Sequence, residues 1–254
     1  MDSSEIKIRD ILPERSLDMP HQQLRLDKLL QLVDNLNLEN RARLLDVGCA
    51  GGYVISKIRE KNSTLCCFGL DLNREYLKKA IFERKIFCVQ SKAEAIPFED
   101  EYFSVIIFAD VVEHLKFPLK ALHEINRVLK SGGHLIMTFP NHDRLKWRLL
   151  RLFGGREGWE RSQNYTKHKQ RFNLTKVKDL LDLSGFQIKK VRGNWVDWFP
   201  ITKNLEGLPY PRYASSLLGD LFPTFAGNII LLASKVKNSL DIDRKANFKF
   251  PDCH

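Results

Sequence analysis

A doubly wound α/β domain on a mostly parallel sheet is the fold this sequence predicts. Three observations lead there. From residue 20 to about residue 140, short apolar runs alternate with amphipathic stretches of helical period, the pattern of βαβ units. Residues 104–109 are apolar with almost no alternation, as a central strand covered on both faces requires. A strand ending at Val47 runs straight into Gly48-Cys49-Ala50-Gly51-Gly52 and then into a helix start. Glycines at such a junction let the backbone turn sharply and approach a ligand closely.

The elements follow in order. Pro20 opens a helical pattern of about four turns, with Leu24, Leu26, Leu29, Leu30, Leu32, Val33 and Leu36 at the apolar positions. Strands are predicted at 43–47, 64–70, 86–90, 102–109 and 134–139, and helices at 52–61, 74–84 and 119–129. Past Pro140 the rhythm changes to a basic amphipathic stretch at 143–153, a Gly-containing loop at 154–158 and a polar link to about residue 171. A helix at 175–183 ends at Gly185, and a strand follows at 186–191. A Pro- and aromatic-rich segment, 195–223, precedes a last strand near 228–234. The expected organisation is a leader and helix at 1–39, a main domain at 40–235 with a cap insertion at about 141–172, and a flexible tail at 236–254.

The composition bounds the function. Of 254 residues, 43% are apolar and 28% charged, which excludes a disordered or collagen-like chain. No stretch approaches the ~18 apolar residues of a membrane span. The opening MDSSEIKIRDILPERS carries charges where a signal peptide needs apolar residues, so a cytoplasmic location is expected. Cys49, Cys66, Cys67, Cys88 and Cys253 show neither CxxC spacing nor a disulfide rhythm. They read as reduced thiols, with no metal site expected. The net charge is +10, and residues 141–192, with 14 Lys/Arg against 5 Asp/Glu, carry +9 of it.

The glycine segment reads either as a ligand loop or as a tight strand-to-helix turn. The G-x-G-x-x-G of dinucleotide binding fails, because Ala50 and Tyr53 stand at two of its three positions. Asp71 lies 19 residues past Gly52, at the end of the second predicted strand. An acid there is placed to accept both ribose hydroxyls of a nucleoside, or to cap the next helix.

These residues carry a resemblance. Asp46-x-Gly48-x-Ala50-x-Gly52 resembles the first motif of class I S-adenosylmethionine-dependent methyltransferases, with Ala50 where the middle Gly is usual. Asp71, followed by Leu72, matches the ribose-binding acid of their second motif. Ala93-Glu94-Ala95-Ile96-Pro97-Phe98 is similar to the adenine-side stretch of the type 11 branch. Asp110-Val111-Val112-Glu113-His114-Leu115 and Glu124-Ile125-x-Arg127-Val128-Leu129-Lys130-x-Gly132-Gly133 match two later segments of that branch. The resemblance implies a Rossmann-like, mostly parallel seven-stranded sheet, an N-terminal helix and a mixed acceptor-binding cap. It implies S-adenosyl-L-methionine as cofactor, bound at Asp46, Gly48, Ala50, Gly52, Asp71, Leu72, Ala93, Glu94 and Asp110. A side chain at Gly48 is then expected to intrude on the methionine moiety. Two departures stand out: Lys92 where an acid usually meets the adenine amino group, and Ser104 where Asp often opens the fourth strand.

Methyl transfer needs a general base only if the acceptor is a hydroxyl or an acidic carbon. The candidates are His114, His142 with Asp143, Tyr165 and His168, each with a structural alternative such as orienting a loop or capping a helix. In 144–153, Leu145, Leu149, Leu152 and Phe153 fall on one arc, with Arg144, Arg148 and Arg151 opposite. Such a helix can cover a cleft, bind an anionic or lipid-linked substrate with peripheral membrane contact, or bind nucleic acid. Trp147, Trp159, Trp195, Trp198 and Phe199 surround it and either line an apolar pocket or form local core. The favoured function is methylation of a small molecule, including a lipid-linked or phosphorylated one. The rivals are an RNA methyltransferase and a non-catalytic nucleoside-binding subunit.

Overall fold

The structure is a computed structural model that describes residues 20–154, 169–196 and 212–237. Helix α1 (Pro20–Asp34) precedes the alternation β1 (Arg43–Val47), α2 (Tyr53–Lys61), β2 (Cys66–Asp71), α3 (Arg74–Phe82), β3 (Phe87–Gln90) and β4 (Phe103–Ala109). A 3-10 turn, Val112–His114, leads to α4 (Pro118–Val128) and β5 (Leu129–Pro140). Then come α5 (Leu145–Phe153), α6 (Leu174–Leu183), β6 (Phe186–Gly193), α7 (Arg212–Leu221), a second 3-10 turn at Pro223–Phe225, and β7 (Asn228–Lys235). The described residues contain no helix long and apolar enough to cross a membrane.

The seven strands form one sheet in the order β3-β2-β1-β4-β5-β7-β6. Neighbours are parallel from β3 to β5, whereas β7 runs antiparallel to both β5 and β6. The mostly parallel, doubly wound sheet is therefore as predicted. Strand alternation builds two cores. Leu44, Val105, Ile107, Ile136 and Ile230 face α1 and α2, while Leu45, Ile106, Phe108, Met137 and Leu231 face α4 and α6. The chain leaves β1 toward β2 on one side and returns to β4 on the other. That reversal opens a crevice at the carboxyl ends of β1 and β4, the binding position in open α/β sheets.

Helix α1 is tied to the far edge of the sheet. The buried Lys28 Nζ donates to Gly193 O (2.6 Å), Ser216 O (3.0 Å) and Asp220 Oδ1 (2.9 Å). Asp220 also accepts from Arg192 Nε (3.1 Å) and Nη2 (2.8 Å). Helix α7, which carries Asp220, falls in a segment where the sequence signals no helix. It depends on tertiary contacts: the backbones of Gly193 and Gly219 approach so closely that a Cβ on Gly193 would lie 2.3 Å from Gly219 O.

Helix α5 departs from the expected orientation. Arg144 and Trp147 are buried, while Leu152 and Phe153 are exposed. The Arg144 guanidinium lies over the Trp147 ring (5.0 Å) and the Trp195 ring (5.6 Å), which compensates its burial by cation–π contact. Arg148 sits over Phe225 (5.2 Å) and beside Asp143 (3.6 Å). Arg144 and Arg148 thus engage aromatic and acidic neighbours, although the Arg148 side chain stays 40% exposed. The Arg151 side chain, Trp159, Trp198 and Phe199 lie outside the described residues.

Candidate active site

Strand β1 delivers the glycine loop to the crevice. Gly48, Ala50 and Gly52 take left-handed φ values of 80°, 44° and 77°. A Cβ in that region costs roughly 1–2 kcal/mol, which explains why glycine suits the position that Ala50 occupies. Gly48 N and Cys49 N both donate to Leu70 O, at 2.7 and 3.0 Å, pinning the loop to the end of β2. Arg84 Nη1 donates to Gly51 O at 2.7 Å. The space a Gly48 Cβ would take is already held by Val111, whose Cγ2 would lie 2.3 Å away. This corrects the expectation that a bound methionine moiety fills it: the loops after β1 and β4 touch each other at Gly48.

Asp71 closes the other side of the loop. Its Oδ2 accepts from Ala50 N and its Oδ1 from Asn73 N, both at 2.8 Å. The capping role considered for Asp71 belongs to Asn73, whose Oδ1 accepts from Glu75 N (2.9 Å) and Tyr76 N (3.3 Å). Asp46 is buried on β1. Burial, and then the nearby Asp71 charge, push its carboxyl up to about 7. Leu72 is half exposed, and its carbonyl accepts from Gln90 Nε2 at 3.0 Å.

Asp71→Ala would remove the two backbone contacts together with the carboxylate oxygens expected to meet a ribose. Charge-assisted bonds are worth about 1.5–3 kcal/mol, so affinity for S-adenosylhomocysteine should fall roughly 10- to 150-fold. Titration calorimetry checks this, with Asp71→Asn expected between the variant and the parent.

The stretch after β3 is braced from α4. Arg127 Nη2 donates to Ile96 O (2.8 Å) and Nη1 to Phe98 O (2.9 Å), while Ile96 N donates to Glu124 Oε2 (2.9 Å). Ala93 is buried, Glu94 is partly buried and Lys92 is exposed. The brace holds this stretch beside Asp71, where Ser91 N donates to Asp71 O at 3.1 Å.

Across the crevice, Asp110 takes a φ of 54° and accepts from Thr138 Oγ1 at 2.7 Å. Its other oxygen pairs with Arg25 of α1. Burial lowers the Arg25 pKa to about 10, against the opposing charge of Glu113. Glu113 is itself buried, and desolvation pushes its carboxyl up to about 7. Arg25 and Gln22 line a small cavity with Tyr53, Val54 and Ala109, and Gln22 Oε1 is buried there without a hydrogen-bond partner. Neither Arg25 nor Gln22 stands out in the sequence. Their helix was legible, but their proximity to Ala109 and Asp110 was not.

The proposed bases divide. His114 lies on the turn after β4, its side chain 58% exposed and its Nε2 4.0 Å from Glu113 Oε1. Partial desolvation and Lys169 hold its pKa below the usual 6.5, so the ring is neutral at pH 7. His142 lies after β5 and donates its backbone N–H to Phe172 O at 2.9 Å. Asp143 accepts, through its carbonyl, from Arg148 Nε at 2.7 Å. Tyr165 and His168 lie outside the described residues.

Comparison with known proteins agrees with this geometry. A family model described as a methyltransferase domain matches residues 20–191. The ubiquinone biosynthesis O-methyltransferase of Aliivibrio fischeri is 24% identical over 222 residues, 81% of this chain and 94% of that protein. The mitochondrial ubiquinone biosynthesis O-methyltransferase of Candida albicans is 28% identical over 149 residues, 54% of this chain but only 43% of that protein. Among solved structures, an S-adenosylmethionine-dependent methyltransferase of Thermotoga maritima superposes with a TM-score of 0.59 at 21% identity, covering 87% of this chain and 94% of that one. The chain belongs to the methyltransferase-domain family, as a class I S-adenosylmethionine-dependent methyltransferase.

Proposed function

We propose that this methyltransferase transfers a methyl group to a hydroxyl oxygen of a small, largely apolar acceptor. The observation that carries the proposal is the arrangement across the β1/β4 crevice. Asp71 and the glycine loop form one wall, and the buried Arg25–Asp110 pair forms the other, with the imidazole of His114 on the turn that follows β4. The residues present suit S-adenosylmethionine. Gln22 Oε1 is a buried acceptor in want of a donor, and Arg25 is a buried cation beside it. They would take the ammonium and carboxylate of an amino-acid group, while Asp71 would take the ribose hydroxyls. When bound, S-adenosylmethionine supplies an activated sulfonium methyl group. The chain holds the acceptor in line with it, and His114 Nε2 takes the hydroxyl proton. The names of the O-methyltransferase relatives support oxygen as the acceptor atom.

The engagement of Arg144 and Arg148 with rings and Asp143 leaves fewer charges for a phosphate backbone than the sequence suggested, which disfavours an RNA substrate. The test is label transfer from methyl-labelled S-adenosylmethionine by the purified chain. The acceptor panel holds hydroxylated aromatics with and without an isoprenoid tail, and total RNA. Label in the organic-soluble aromatics supports the proposal. Label in RNA alone, or none above the blank, overturns it.

A further inference from the structure

Gly69 stands in the middle of β2, paired with Asp46 of β1 on one side and Cys88 of β3 on the other. A Cβ on Gly69 would lie 2.8 Å from Cys49 Sγ and 2.9 Å from Cys88 Sγ. The missing side chain therefore leaves a notch into which two thiols project from opposite sides. Cys49 belongs to the glycine loop and Cys88 to the neighbouring strand, and both are free thiols. Neither thiol serves the methyl-transfer chemistry proposed above.

We infer that Cys49 and Cys88 form a redox pair over Gly69, oxidised to a disulfide by a hydroperoxide, and that the bond distorts the cofactor loop. The inference rests on the cofactor site described above. Both sulfurs lie within 2.9 Å of the position a Gly69 Cβ would take. The neighbouring Cys88 thiol, and then burial, raise the Cys49 pKa, whereas the Cys49 thiol lowers that of Cys88. Cys88 is thus the more readily ionised of the two. The half-buried Cys88 is also the more accessible of the two.

The chemistry balances. Cys88 thiolate attacks one peroxide oxygen, the O–O bond breaks, and a sulfenic acid forms as hydroxide leaves. The Cys49 sulfur then attacks the sulfenic sulfur, an S–S bond forms, and water leaves as the Cys49 proton is released. Overall, two thiols lose two electrons and two protons, and the hydroperoxide becomes an alcohol and water, or two waters when it is hydrogen peroxide.

A disulfide draws its sulfurs to about 2.05 Å, well inside the non-bonded contact distance of two thiols. Cys49 lies between Gly48 and Ala50, both left-handed, and its N–H is bound to Leu70 O at 3.0 Å. Pulling its Cβ toward β3 turns the adjoining peptide that presents Ala50 N–H to Asp71. The ribose acceptor then loses the partner that orients it.

The full chain is treated with hydrogen peroxide or with dithiothreitol and read three ways. Peptide mass spectrometry locates the cross-link, hydrogen exchange follows residues 48–52, and calorimetry measures S-adenosylhomocysteine affinity. A Cys49–Cys88 cross-link, faster exchange in 48–52 and at least tenfold weaker binding, all reversed by dithiothreitol and absent in Cys88→Ser, are expected. No such cross-link, or a cross-link with unchanged loop exchange, overturns the inference. Reduced protein that binds no S-adenosylhomocysteine would sink the cofactor site instead, while the cross-link and the loop exchange still decide the thiol pair.

Discussion

Gly48→Val is expected to weaken S-adenosylmethionine binding on the order of 100-fold or more while leaving the sheet intact. Two costs combine. At a φ of 80° a β-branched residue is strained, by roughly 1–2 kcal/mol. Its Cβ would also lie 2.3 Å from Val111 Cγ2, and overpacking typically costs about 1–3 kcal/mol. At about 1.4 kcal/mol per tenfold, the sum spans roughly 30- to 3,000-fold in the population of the native loop. Both walls of the crevice move, because the overlap drives the β1 loop and the β4 loop apart. Pairing Gly48→Ala with Val111→Ala separates the two costs: it relieves the overlap but keeps the strained φ, so binding should recover in part. Calorimetry on folded variants checks both. A Gly48→Val protein with parental circular dichroism and an affinity within threefold of the parent would contradict the account.

His114→Gln should lower kcat by about 10²–10⁴-fold, the usual worth of a general base, with little change in cofactor affinity. The pH profile gives the more specific reading. The active form is the neutral ring, and desolvation and Lys169 hold its pKa below 6.5. The acid limb of the parent's rate should therefore lie below that of an ordinary imidazole, the rate falling as the pH drops through the lowered pKa and the ring protonates. The variant should lose this acid limb. A variant with parental kcat, or one that keeps the limb, would assign the proton to another group or show that none needs to be taken.

The central strands were legible because each contains an apolar run too short for a helix. Residues 43–47 were placed to the residue, and 102–109 within one. The glycine loop was legible because a positive φ and a close backbone approach leave few residue choices, and Asp71 because an acid stands at the end of the second strand. Contacts across sequence were not legible. Nothing in the periodicity of α1 sets Arg25 apart from Lys28, yet one pairs with Asp110 and the other with Asp220. Helix α7 escaped notice because its Ser215, Ser216 and Gly219 are poor helix formers. The buried Ser215 Oγ bonds Val196 at 3.1 and 3.2 Å, and Asp220 takes Lys28 and Arg192. The face of α5 was misjudged because Arg144 counted as a solvent residue, whereas two tryptophan rings receive it.

The central claim is that the β1/β4 crevice holds the cofactor between Asp71 and Arg25. A crystal structure of the chain with S-adenosylhomocysteine tests it most directly. The account predicts both ribose hydroxyls within hydrogen-bond distance of the Asp71 carboxylate, the amino-acid carboxylate on Arg25 and the ammonium on Gln22 Oε1. A nucleoside bound elsewhere, or bound in the crevice with Asp71 paired only to Ala50 N and Asn73 N and Arg25 only to Asp110, would contradict it.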